Sequence, residues 1–247
     1  MIKKVHQFAV LVCLFLFCGI FFSNTLTASD TNNDKKLTAE NHLKNIYNEL
    51  KGSDKKPDYK VFRNALIGYY HLKATDKLSK ENEILTIVDF SKSSNTERLW
   101  VIDLKDKKVL FNTLVAHGRN TGDEYAANFS NLPNSFMSSI GFYVTGEIYT
   151  GKHGLSLRLD GQEKEFNSQA RNRAVVMHGA DYVSEDFIKK AGRLGRSLGC
   201  PAIPVALHKE IITTLADKTC LFVYHPDKNY AAKSMFSNDG LLANIMF

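Results

Sequence analysis

The period of the apolar residues changes once along this chain, near Asn82, and that change limits the class of fold open to it. Before it, Leu43, Ile46, Tyr47 and Leu50, then Tyr59, Phe62, Leu66, Ile67, Tyr70 and Leu72, recur at three- and four-residue steps. That spacing predicts two amphipathic helices, the first starting at Thr38-Ala39-Glu40-Asn41 and ending near Gly52. After it, Ile84, Thr86 and Val88, then Trp100, Ile102 and Leu104, alternate in twos, as half-buried strands do. The expectation is an α+β fold: a β-rich, β-sandwich-like body of mixed or antiparallel sheets, carrying a short N-terminal helical segment. With 44% apolar and 11% aromatic residues in 247, one substantial core is expected rather than a disordered chain.

Within the β-rich part, Asp103 to Leu110 reads as strand, polar turn and strand, so residues 97–117 predict a hairpin. Further strands are expected around 141–149, 155–159 and 173–178, and helices over 183–191 and 204–215. Gly118 to Ser139, dense in Gly, Asn and Ser, is expected to be a long loop. Cys220-Leu221-Phe222-Val223-Tyr224 reads as a buried strand stopped by His225-Pro226. The resulting division is 1–29, a targeting segment; 30–80, a flexible leader with the two helices; 81–226, the β-rich body; and 227–247, a loose tail.

The first thirty residues are set aside from the fold. Lys3 and Lys4 precede an uninterrupted apolar run from Phe8 to Phe22, the pattern of a secretory signal. The run is shorter than the ~18 residues a membrane span needs, so a removed signal is expected, cut after Thr27-Ala28-Ser29. Removal lowers 32 basic residues to 30 against 26 acidic ones, a net charge of +4. No basic run interleaved with aromatics suggests a nucleic-acid surface. Of four cysteines, Cys13 and Cys18 leave with the signal, and Cys200 and Cys220 remain in a compartment that permits disulfides. Either they pair, or one is chemically special; no short-spaced ligand cluster points to zinc.

Two stretches carry chemistry. Val175-Val176-Met177-His178-Gly179 reads as an apolar strand whose last side chain emerges as the backbone turns at glycine. In Gly192-Arg193-Leu194-Gly195-Arg196-Ser197-Leu198-Gly199-Cys200-Pro201-Ala202, glycines free the backbone to bend around the cysteine. A thiol with a pKa of ~8.5 is a weak nucleophile at neutral pH without a base or cation beside it. His178 is the partner expected, with Arg196, or else Arg193, supplying positive potential and a fork for a substrate carboxylate. Ser197 is expected to steady the loop or orient the imidazole. Read from the residues alone, a Cys200–Cys220 bridge and a structural His178 explain the same positions. His117 and His153 are candidates to line the cleft, and strand-end histidines with satisfied hydrogen bonds account for them equally well.

His178-Gly179 followed by Ser197-Leu198-Gly199-Cys200 resembles the signature of the YkuD-type L,D-transpeptidases: His-Gly, a spacer, then Ser/Thr-His-Gly-Cys. Ala116-His117-Gly118, Phe129-Ser130-Asn131, Gly151-Lys152-His153-Gly154-Leu155-Ser156-Leu157 and Gly195 to Ala202 are similar to the divergent murein L,D-transpeptidase catalytic-domain branch, over about residues 84–224. The resemblance implies that Cys200 is the nucleophile, His178 the general base and Gly199 part of an anion-binding turn. It implies attack on the carbonyl of the diamino acid at position three of a peptidoglycan stem peptide, release of D-alanine, and transfer to an amine or to water. It implies an exported protein of the periplasm or cell envelope, with the wall as partner and no metal or cofactor. Two positions depart from the pattern: Leu198 stands where histidine is usual, and Ala202 where many relatives carry arginine, a loss that Arg196 is expected to offset. The rival readings are an L,D-carboxypeptidase or cysteine peptidase using the same two residues, and a non-catalytic wall-binding module bridged by its cysteines.

Overall fold

A computed structural model describes the backbone of residues 28–52 and 55–237 and the side chains of residues 33–52 and 55–236. The expected secretory signal, with Cys13 and Cys18, lies outside the described residues apart from the start of the first helix. Residues Lys35–Phe247 form one compact unit, and Met1–Asp34 are grouped apart from it.

Helix α1 spans Ala28–Glu49 and α2 spans Tyr59–Ala74. Helix α1 starts ten residues before Thr38, where its start was expected and a flexible leader preceded it. Residues 28–37 contain no Gly or Pro to stop a helix propagating backwards from the apolar turns. In α1, Ala39, Leu43 and Ile46 are buried at helical spacing. Asp58 caps α2 by accepting from the Lys60 amide at 2.9 Å. Gly68 lets α2 come close to the sheet: a methyl group there would fall 2.1 Å from the Phe142 ring.

The strands are β1 (Ile84–Asp89), β2 (Leu99–Asp103), β3 (Lys108–Thr113), β4 (Gly141–Gly151), β5 (Gly154–Gly161), β6 (Val176–Gly179), β7 (Ala202–Ile203) and β8 (Cys220–Tyr224). They form one continuous mixed sheet in the order β3-β2-β1-β8-β4-β5-β6-β7. The β1–β8 and β6–β7 pairs are parallel and the others antiparallel. Beyond β3, Ala116 bridges Ala202 of β7, its amide donating to the Ala202 carbonyl at 2.8 Å. The two ends of the sheet therefore nearly meet, and the sheet curls towards a barrel.

Helices α3 (Glu185–Ala191) and α4 (Val205–Leu215) follow β6 and β7. In α4, Ile211, Ile212 and Leu215 are fully buried. The core includes the stacked pair Phe142 and Phe222, with ring centroids 4.2 Å apart.

Residues 228–237, expected to belong to a loose tail, are folded. Helix α5 (Lys228–Lys233) and a 3-10 turn (Met235–Ser237) bury Tyr230 and Phe236. Glu163, buried, holds this segment: its carboxylate accepts from the Phe142 amide, the Tyr230 hydroxyl and the Ser234 hydroxyl, at 2.8, 2.9 and 2.5 Å. Among the described residues no helix is long and apolar enough to cross a membrane.

Candidate active site

In β6 the two-residue period puts Val176 and His178 on one face and turns Met177 into the core. The strand ends at Gly179 where α4 passes close: a methyl group there would lie 2.8 Å from the His208 ring. His178 Nδ1 is 2.9 Å from the Gly179 carbonyl oxygen. A carbonyl only accepts, so Nδ1 carries the proton and Nε2 keeps its lone pair. The His178 ring is buried and stacks on His153, centroids 4.4 Å apart and planes at 19°. Burial is the main cause that holds its pKa below the ordinary imidazole value, and the neighbouring His153 acts in the same direction.

The turn before β7 is fixed from two sides. Ser197 Oγ donates to the Cys200 carbonyl at 2.6 Å and accepts from the Gly199 amide at 3.0 Å. The Ser197 amide donates to the His117 carbonyl, and Ser138 Oγ donates to the Gly199 carbonyl at 3.1 Å. Gly199 has φ +126°, and a methyl group on it would sit 2.8 Å from the Met137 carbonyl oxygen. Only glycine fits that conformation and that approach.

His178 pairs with Ala202 in the parallel β6–β7 register. The same register two residues earlier sets Cys200 opposite Val176, and the Cys200 sulfur takes up the Val176 amide at 3.4 Å in place of a ladder carbonyl. Its own thiol points towards the Ala174 carbonyl, 3.7 Å away. Burial pushes the thiol pKa up, while the Val176 amide and the charge of Arg173 pull the other way. Cys200 and His178 line one cavity of about 440 Å³, with Tyr149, Lys152, His153 and Tyr182. Among the described residues no carboxylate lines it.

Arg173 was not anticipated. Its guanidinium donates to the Ser130 and Met137 carbonyls and to the Ser139 and Ser135 hydroxyls, at 2.6, 2.6, 2.6 and 3.1 Å. It thereby ties the 130–139 loop to the floor of the cavity, next to Gly199. No local pattern marks Arg173, because its four partners lie more than thirty residues away in sequence.

The expected residues divide. Cys200, His178, Ser197, Arg196 and His153 all line the cavity. Ser197 steadies the turn, and its hydroxyl is bonded to the turn's own backbone rather than to the imidazole. The Gly199 amide is committed to Ser197, whereas the Cys200 amide meets no acceptor among the described residues and is the donor left to face an anion. Arg196 is paired with Asp123 at 2.7 Å and also donates to the Arg119 and Gly122 carbonyls. Ala202 is fully buried against Ala116, so an arginine there would bury its cation. Leu198 is 59% exposed at the cavity rim.

His117 does not line the cavity. Arg98, itself fully buried, donates to His117 Nδ1 at 2.8 Å, and His117 Nε2 faces the Gly122 carbonyl at 3.2 Å. Cys200 and Cys220 are both free thiols, and Cys220 is buried in β8, so the bridge weighed in the sequence is not formed. Among the described residues, no group of three or more His, Cys, Asp or Glu side chains gathers to hold a metal.

Three solved structures are similar to this chain at low identity. They are an L,D-transpeptidase from Mycobacterium smegmatis (13% identity, 58% of this chain and 59% of that one, TM-score 0.36), the Ldtfm–avibactam carbamoyl enzyme (16%, 60% and 51%, 0.34) and an L,D-transpeptidase from Stackebrandtia nassauensis (15%, 81% and 93%, 0.35). The chain thus spans only 59% and 51% of the first two. No curated protein matches it. The sequence family described as the L,D-transpeptidase catalytic domain matches residues 53–224, well over half the chain, and it is to this family that the chain belongs.

Proposed function

We propose that this protein is a peptidoglycan-modifying acyltransferase in which Cys200 is the nucleophile and His178 the general base. The family it belongs to acts on peptidoglycan. The observation that carries the reading is the docking of the Cys200 sulfur on the Val176 amide, in the strand that ends in His178, with both side chains lining one cavity.

His178 Nε2 takes the thiol proton, and the sulfur attacks the carbonyl of the diamino acid at position three of a stem peptide. The Cys200 amide stabilises the oxyanion. The carbon–nitrogen bond to the terminal D-alanine breaks, the proton on His178 passes to the leaving amine, and a thioester remains. The side-chain amine of a second stem then attacks the thioester and returns the sulfur as a thiol, forming a cross-link; water in the same place gives a trimmed stem. Residues 1–29 are proposed to direct export to the envelope and to be removed.

The test is turnover of purified muropeptides by the mature chain, read by mass. Dimers together with released D-alanine support transfer, and trimmed monomers alone assign hydrolysis. Cys200→Ala is expected to abolish both, and unchanged turnover by this variant overturns the reading.

A further inference from the structure

We propose that Lys152, in the turn between β4 and β5, binds the free carboxylate of the donor peptide and thereby sets the specificity of the site for C-terminal residues. The inference rests on the function proposed above. If the leaving group is a terminal amino acid, its carboxylate lies within one residue of the bond that breaks. A cation near Cys200 with donors to spare is the group best suited to hold it.

The cavity holds three permanent cations, Lys152, Arg173 and Arg196, and no carboxylate among the described residues. Arg173 has both terminal nitrogens committed, and Arg196 has its charge offset by an acid. The terminal nitrogens of Arg173 already have four acceptors in the 130–139 loop. Arg196 is paired with Asp123 and donates to two backbone carbonyls, all through one terminal nitrogen, so its charge is already offset where that of Lys152 is not. Lys152 is exposed and forms no hydrogen bond or ion pair with any described residue.

The turn holds it at the rim. Strands β4 and β5 pair as far as Gly151 and Gly154, so Lys152 and His153 form a two-residue loop, closed by Gly154 at φ +74°. The stack of His153 on His178 anchors the loop over the general base. The next residue back, Lys152, therefore has its backbone placed by the catalytic imidazole and its ammonium on a flexible four-carbon stem. Without a carboxylate in the cavity to compete for it, that ammonium is free for an anionic ligand.

The experiment measures D-alanine release by the mature chain from a tetrapeptide muropeptide and from the same compound with its C-terminal carboxylate amidated. Lys152→Ala is expected to raise KM for the free acid about tenfold or more while kcat changes little, because a charge-assisted bond to the bound substrate is lost. On the amidated compound the same change is expected to alter KM less than about twofold. Lys152→Arg is expected to keep KM near that of the parent protein, and Lys152→Glu to raise it further than alanine does. If Lys152→Ala leaves KM for the free acid unchanged, or weakens both compounds equally, the assignment of Lys152 is overturned while the proposed function stands. A parent protein inert on both compounds, with Cys200 still alkylated by iodoacetamide, overturns the two together.

Discussion

The Cys200 sulfur accepts the Val176 amide across 3.4 Å, so the Cys200 turn is docked on the strand that carries His178 two residues further on. Burial depresses the imidazole pKa and raises that of the thiol, so it favours the neutral form of each. In the proposed reaction the two groups start from their neutral forms, and the proton is transferred as substrate binds.

That pairing sets a pH profile. The acid limb of kcat/KM is expected below pH ~6.5, the ordinary value for histidine, because the His178 pKa is lowered. His153→Gln removes both cover and a neighbouring charge, each of which lowers it. The His178 pKa then rises, and the limb is expected to move to higher pH. A limb that stays in place would leave the stack without an electrostatic part in the reaction.

Arg173 lowers the thiol pKa by its charge and holds the 130–139 loop by its four hydrogen bonds. Arg173→Met is expected to slow alkylation of Cys200 by iodoacetamide at pH 7, since less thiolate is present. Arg173→Lys keeps the charge without the fork and is expected to fall between. Equal rates in all three proteins would remove Arg173 from any role at the sulfur.

His117 is kept neutral by burial and by the Arg98 guanidinium, which take its pKa from 6.5 to about 4. The unfolded chain therefore binds more protons than the folded one between these values, so stability is full above pH ~6.5 and is lost as pH falls towards 4. The loss expected from this one group is about 3 kcal/mol. His117→Asn is expected to be less stable at pH 7 but to show a flatter slope between pH ~6.5 and ~4 in urea unfolding. An unchanged slope would show that other groups govern acid unfolding.

Glu163 joins the C-terminal segment to the sheet through three buried donors. Glu163→Ala leaves all three without an acceptor and is expected to cost about 3 kcal/mol or more, while Glu163→Gln, which keeps an oxygen there, is expected to cost less. Urea midpoints compare them, and equal losses would refute the latch.

The sequence by itself determined the elements whose cause is local. The helices of Tyr59–Ala74 and Val205–Leu215 and the strands Ile84–Asp89 and Cys220–Tyr224 stand where period and flanking breakers put them. Period is a property of neighbours in the chain, and it survives whatever the rest of the molecule does. The pairing of His-Gly with Gly-Cys came instead from the resemblance to a known family, since the residues alone left a Cys200–Cys220 bridge and a structural His178 open.

Everything that depends on distant partners was decided by the tertiary structure. The two-residue strand β7 has no period to read and exists because His178 and Ala116 flank it. Arg173 is an ordinary loop arginine until the 130–139 segment folds against it. His117 carried the same His-Gly dipeptide as His178, yet the buried Arg98 claims it for the frame, nineteen residues away in sequence. A side chain's role at a site follows from which groups share its cavity, and that is fixed only when strands from the two ends of the sheet come together.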